Sequence, residues 1–398
     1  MAKKNSVATN NYTVSDEIAA MQTLGSVGLN VHPQRCVRLR NRHASCNRCA
    51  QACTSGAIDI KDNTWNLDPS LCVKCGTCAT VCPTSALEAS YPHDADLLHS
   101  AVNGASRAQG VACFACSNAI NNSKKAIDIS KVVQIVCLSR LDETMIFMLL
   151  QKGAKEIYAV HGQCEQCERS QGCVSAQLVE NTVASVAKAW GIEANYHRVN
   201  AFPGEVIATD ECVSEGENSS YEQFSDYCLL SDSELLEVSD EGHLQASIKP
   251  VHVQKDGTLP HFVPARRRKL LDTLAHFGNP VQELIDTRLW GHVIIDFSRC
   301  KSCKMCAVFC PTGALSKYSD SNGAGIEHYV AECVHCCLCQ DICPQQAITC
   351  VTQVPAMQLA QGETEKYCMP DPDWMAGPDQ ILQRMKVKIS GNSVEHSY

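Results

Sequence analysis

Hydrophobic and polar positions follow different rhythms along the chain. Between residues 107 and 200, short β-branched runs (Gly110–Cys113, Lys131–Cys137, Ala154–Val160, Ala194–Val199) alternate with stretches of helical spacing, Leu141–Lys152 and Ser175–Trp190. Strands separated by helices predict a small parallel sheet with right-handed crossovers, because a parallel neighbour needs a long return connection. Nearer the ends the apolar runs are short and lead into cysteine-rich loops: Leu67-Asp68 before Cys72, and Val293–Asp296 before Cys300. Residues 203–256 are rich in Ser, Glu, Asp and Gly, the composition of an acidic, solvated linker. Pro264–Gly278 follows, with Leu270, Leu271, Leu274 and Phe277 at helical spacing, and predicts a docking helix. The longest apolar run, Met145–Leu150, is far short of the roughly 20 residues that cross a bilayer, so no membrane span is expected.

This pattern divides the chain into an N-terminal extension (1–33), a first cysteine-rich module (34–95), a central α/β domain (105–202), a linker with docking helix (203–290), a second cysteine-rich module (291–352) and a C-terminal tail (353–398). The fold class expected is α+β modules at both ends around an α/β domain with a small parallel sheet. Composition sharpens the chemistry. The chain carries 27 cysteines in 398 residues, and its first 30 residues lack the apolar stretch of a secretory signal. A cytoplasmic protein is expected, where thiols stay reduced, so metal ligation rather than disulfide bonding accounts for the cysteines. The formal net charge of -9 argues against nucleic acid as a partner.

The spacing of the cysteines is specific. Cys72, Cys75, Cys78 and Cys82 followed by Pro83 spell C-x2-C-x2-C-x3-C-P, a string repeated at Cys300, Cys303, Cys306, Cys310 and at Cys333, Cys336, Cys339, Cys343. Three thiolates at this spacing wrap one face of a [4Fe–4S] cubane, and the proline fixes the turn after the fourth. A zinc ribbon would show two C-x2-C pairs and need neither the third regular cysteine nor the proline. A degenerate fourth copy holds Cys46, Cys49 and Cys53, with His43 where the first cysteine of the string would stand and Cys36 ten residues before Cys46. Cys337 and Cys350 fall outside every ligand position and read as plain thiols, as do Cys212 and Cys228 in the linker.

Both end modules resemble bacterial two-cluster ferredoxins, on these strings and on the Cys-Pro-x-x-Ala-Leu/Ile sequence that follows them. The resemblance implies crossed ligation. Cys300, Cys303 and Cys306 would share a cluster with Cys343, and Cys333, Cys336 and Cys339 one with Cys310. Cys72, Cys75 and Cys78 would pair with Cys53, leaving Cys46, Cys49 and Cys82 to be completed by Cys36 or by His43. In the central domain Cys113, Cys116, Cys137, Cys164 and Cys167 fall just past predicted strand ends, with Cys173 close behind, and ligands gather at the carboxyl edge of an open parallel sheet. The strings Val136-Cys-Leu-Ser-Arg-Leu-Asp142, Gly153–Val160 and His161-Gly-Gln-Cys-Glu-Gln-Cys167 resemble the delta subunit of methyl-viologen-reducing hydrogenases. That resemblance implies one further cluster, [2Fe–2S] or [4Fe–4S], beside up to four [4Fe–4S] clusters in the end modules.

No phosphate loop, dinucleotide fingerprint or Ser-His-Asp spacing is present, so the expected function is carried by the clusters. The chain reads as an electron-transfer protein or oxidoreductase subunit rather than an independent catalyst. Its partners would be redox proteins: a dehydrogenase, a hydrogenase or a flavoprotein. The module order is similar to that of iron–sulfur proteins found beside molybdenum or tungsten formate dehydrogenases. Two alternatives stand beside this reading: a subunit of a hydrogenase- or heterodisulfide-reductase-like complex, and a thiol- or persulfide-using accessory factor in metalloenzyme assembly.

Overall fold

A computed structural model describes residues 28–208, 236–238, 243–246 and 253–369, apart from positions 62, 256 and 322. The two end modules share one plan, in which short strands bracket cysteine loops. In the first, Leu29–Val31 pairs antiparallel with Leu87–Ala89, and Ile58–Lys61 forms a hairpin with Thr64–Leu67. In the second, His292–Ile295 pairs with Ile348–Val351, and Leu315–Asp320 forms a hairpin with Gly323–Tyr329.

Each regular loop carries the same backbone signature. Lys74 and Gly76, Ser302 and Lys304, and His335 and Cys337 all have φ between 50° and 78°. Five of these six residues have a Cβ and sit there at a steric cost, which a loop incurs where its amides must turn toward a common centre. The degenerate copy lacks the signature: Asn47 has φ of -137°, and the chain approaches from Cys36, held between the turn Pro33–Arg35 and the helix Val37–Arg40.

The expected parallel sheet lies in the centre, in the order Val132–Ile135, Val111–Cys116, Glu156–Val160, Tyr196–Val199, all four strands running one way. Val111–Cys116 is buried along its whole length, as a strand covered on both faces must be. The helix Glu143–Gln151 starts at Asp142, whose carboxylate accepts from the Met145 amide at 2.9 Å, and it buries Met145, Ile146, Phe147 and Leu149. Gln171–Trp190 ends at Gly191 in the left-handed conformation. The predicted docking helix is Ala265–His276; it turns Leu270 and Leu274 inward and packs on Glu143–Gln151.

The basic run on that helix has an internal use. Arg266 donates to the carbonyls of Ala79, at 2.9 Å, and of Cys82 in the first module. Arg288 grips both carboxylate oxygens of Glu143 at 2.9 Å, and that carboxylate is 1% exposed.

Two segments do more than the sequence suggested. Leu244–Ala246, inside the acidic stretch, pairs with Thr64–Leu67 and buries Leu244 and Ala246 in the first module's core. Past residue 352, Gln353–Pro355 pairs with Leu284–Asp286, and Thr364–Cys368 adds a third strand beside Gly323–Tyr329. Cys212, Cys228 and Asp371–Trp374 lie outside the described residues. No helix among the described residues is long and apolar enough to cross a membrane.

Candidate iron–sulfur sites

The folding of the loops gathers the cysteines into groups of four. Cys53, Cys72, Cys75 and Cys78 line one cavity, walled by Ala57, Ile58 and Leu67. Cys36, Cys46, Cys49 and Cys82 line a second, beside Leu39 and Trp65. His43 does not reach it: the imidazole is exposed and meets Arg42 Nε at 3.3 Å. Cys300, Cys303, Cys306 and Cys343 surround a third with Ile295, Ile326 and Ile348. Cys310, Cys333, Cys336 and Cys339 form the fourth group, the other three being the strongest charged neighbours of Cys339.

Their electrostatics suit a cationic guest. Burial, with Cys82 and Cys46 close by, pushes the Cys36 thiol up to about 12. Cys306 is likewise pushed up to about 12 by burial and by Cys303. Thiolates gathered in an apolar hollow need positive charge beside them, which an iron–sulfur core supplies. Donors stand ready for the sulfurs: the Ala347 amide lies 3.3 Å from Cys343 Sγ and the Thr312 hydroxyl 3.7 Å from Cys310 Sγ. Hydrogen bonds of this kind tune a cluster's potential.

The fifth group sits at the carboxyl edge of the parallel sheet. Cys116, Cys137, Cys164, Cys167 and Cys173 line one cavity with His161, Gly162 and Arg198. The Gly162 amide lies 3.4 Å from Cys116 Sγ, and Arg198 Nη1 lies 3.6 Å from Cys173 Sγ while its Nε is held by Glu180 at 2.9 Å. Gly172 makes room, since a Cβ there would stand 2.5 Å from Cys137 Sγ. Burial and the neighbouring Cys173 push Cys164 up to about 12.

Cys113 is not brought into this group. The strand runs on to Cys116, so Cys113 stands mid-strand between Val132 and Tyr158, 1% exposed within the apolar core. Residues three apart on a strand face opposite sides, which sends the two thiols apart. Arg198 and Gly172 carried no sequence signal, being a strand residue and a helix residue that only the parallel topology unites.

The five groups are neighbours in single file. Ser139, just past Cys137, donates to the Cys75 carbonyl at 3.0 Å and accepts from Thr77 Oγ1 at 2.8 Å, and its own carbonyl accepts from Thr80 Oγ1 at 2.6 Å. Across the first module Cys49 lies close enough to Cys78 to help push that buried thiol up, after burial and Cys75. Val37, Ala44, Leu338 and Ile342 then join the two end modules around Cys46, Phe309 and Cys336. Arg40 is buried at this seam near Cys310 and Cys336, and Ser45 donates to Asp341 from its amide at 2.7 Å and its hydroxyl at 2.8 Å. Cys339 and Cys306 link the last two groups.

Family models described as 4Fe-4S dicluster domain match residues 42–86 and 292–344. The chain is also 34% identical over 76 residues to pyruvate synthase subunit PorD of Methanocaldococcus jannaschii, a match covering 19% of this chain and 85% of that protein. With two dicluster domains and eight cysteines in four-fold groups at each end, the chain belongs to the ferredoxin-like family of [4Fe–4S] iron–sulfur proteins that transfer electrons.

Proposed function

We propose that this chain is a five-site electron wire serving as an electron-transfer subunit between two redox proteins. Four [4Fe–4S] clusters would be held by the groups of Cys53, Cys36, Cys333 and Cys300, with Cys36 rather than His43 completing the second. A fifth cluster would be held by four of the five cysteines at the edge of the parallel sheet. When bound, the clusters supply one-electron chemistry. The protein's own residues bury them, present amides and hydroxyls to their sulfurs, and exclude water.

The observation that carries this reading is the unbroken contiguity of the groups, from the sheet edge through Ser139, across the first module and over the Val37–Leu338 seam to Cys300. A protein that used its clusters separately would need none of these buried junctions. The order gives the wire two ends, the sheet-edge site and the Cys300 site, and donor and acceptor would dock there. The similarity to a pyruvate synthase subunit and the resemblance of the central domain to a hydrogenase delta subunit both favour a large oxidoreductase at one end. A formate dehydrogenase remains the partner suggested by module order.

Iron and acid-labile sulfide in anaerobically purified protein test the reading. About 18 to 20 iron per chain is expected, four cubanes with a further [2Fe–2S] or [4Fe–4S] cluster. About 16 would leave the sheet-edge cysteines without iron and would end the wire in the first module.

A further inference from the structure

The second ferredoxin-like module holds two cysteines that no cluster position uses, and the fold brings them together. Cys337 lies in the loop between the ligand positions 336 and 339, and Cys350 lies on the strand Ile348–Val351. One ring nitrogen of His335 and the sulfurs of Cys337 and Cys350 all fall within 4.8 Å of one another. His335 and Cys337 reach this arrangement through left-handed backbone, with φ of 50° and 60°.

The surroundings hold the three in place. Arg48 of the first module donates to the His335 carbonyl at 2.8 Å, and Gln340 Oε1 accepts from the Cys350 amide at 2.9 Å. Position 291 is glycine where sulfur and imidazole converge: a Cβ there would lie 3.0 Å from Cys350 Sγ and 3.1 Å from His335 Cδ2. All three side chains are half-buried.

We propose that His335, Cys337 and Cys350 form a mononuclear site for a thiophilic divalent cation of the zinc class, seated beside the cluster to which Cys333 belongs. Two thiolates and an imidazole are the donor set such a cation prefers. With metal–sulfur bonds of about 2.3 Å and metal–nitrogen bonds of about 2.0 Å, tetrahedral geometry sets ligand atoms roughly 3.5 to 3.8 Å apart, a small adjustment of what the fold presents. Three protein ligands leave a fourth position for water or another small donor. A dication here also acts on the cluster, because Cys350 reaches the Cys333 sulfur. Positive charge beside a cluster favours its reduced form and raises its potential.

The test measures zinc and iron together in anaerobically purified full-length protein, after incubation with zinc(II) and removal of loosely held metal by gel filtration. About one zinc per chain is expected in the parent protein. Cys350→Ser and His335→Ala are expected to lower zinc at least fivefold while iron stays within a tenth of the parent value, which also reports that the variants fold. The potential of one cluster should fall when the zinc is lost. Zinc below a tenth per chain in the parent protein, zinc unchanged in both variants, or a Cys337–Cys350 disulfide found by mass spectrometry of the native chain would each overturn the proposal.

Discussion

Replacing Cys36 by Ala tests the most unusual feature of the ligand pattern. Cys36 stands ten residues before Cys46 instead of three, yet its sulfur lines the same cavity as Cys46, Cys49 and Cys82. His43, at the regular spacing, points into solvent. If Cys36 is a ligand, its loss removes one cubane, about four of the 18 to 20 iron expected, with a matching loss of sulfide. His43→Ala should cost no iron. The first module should also melt at a lower temperature in Cys36→Ala, since the free energy of holding a metal group is part of the free energy of folding. Iron, sulfide and the integrated EPR signal of the dithionite-reduced protein are the assay, with the other clusters as internal control. Iron retained in full by Cys36→Ala and lost from His43→Ala would refute the reasoning from cavity geometry.

Other consequences can be checked on the same preparations. Cys113→Ala should keep the sheet-edge cluster, at a packing cost of about 1 kcal/mol, whereas Cys116→Ala should reduce it, read from iron content and EPR. Gly172→Ala should lose that cluster as well, because the new methyl group falls on Cys137 Sγ; full iron in this variant would remove Cys137 from the site. Glu143→Gln should destabilise the chain by about 1.5 to 3 kcal/mol by weakening a charge-assisted pair whose carboxylate is buried and whose guanidinium is partly exposed, and the double replacement of Glu143 and Arg288 by Met should recover most of it, measured as midpoints in denaturant. Ser139→Ala removes two hydrogen bonds worth about 1 kcal/mol each at the junction of the sheet-edge site and the first module; it should leave iron unchanged and slow electron passage across that junction in stopped-flow reduction.

Much of the metal chemistry was legible because it is local. A C-x2-C-x2-C-x3-C-P string folds its own loop, so Cys300, Cys303 and Cys306 gather without help from distant parts of the chain. Crossed partners such as Cys343 follow once two strings stand side by side. What depends on strand length or on distant pairing was harder. Reading the first central strand three residues too short placed Cys113 just past the sheet edge, whereas it stands mid-strand within the core.

The strand Leu244–Ala246 has only three residues inside an acidic stretch, and its partner lies far back at Thr64–Leu67. No local pattern announces such a pairing. The seam between the end modules was hidden differently: Leu338 and Ile342 stand between ligand cysteines, and only the fold sets them against Val37 and Ala44. Arg266 ties the docking helix to the carbonyls of Ala79 and Cys82, a contact across most of the chain that no local pattern announces.

The single-file order is tested most directly by spin coupling in the fully reduced protein, comparing the EPR signal of the sheet-edge cluster after removal of either neighbour. Cys75→Ala, which takes away the adjacent cluster, should sharpen that signal and abolish its splitting, whereas Cys303→Ala, at the far end, should leave it unchanged. A sheet-edge signal indifferent to the loss of the Cys75 cluster, or altered by the loss of the Cys303 cluster, would contradict the order and the wire built on it.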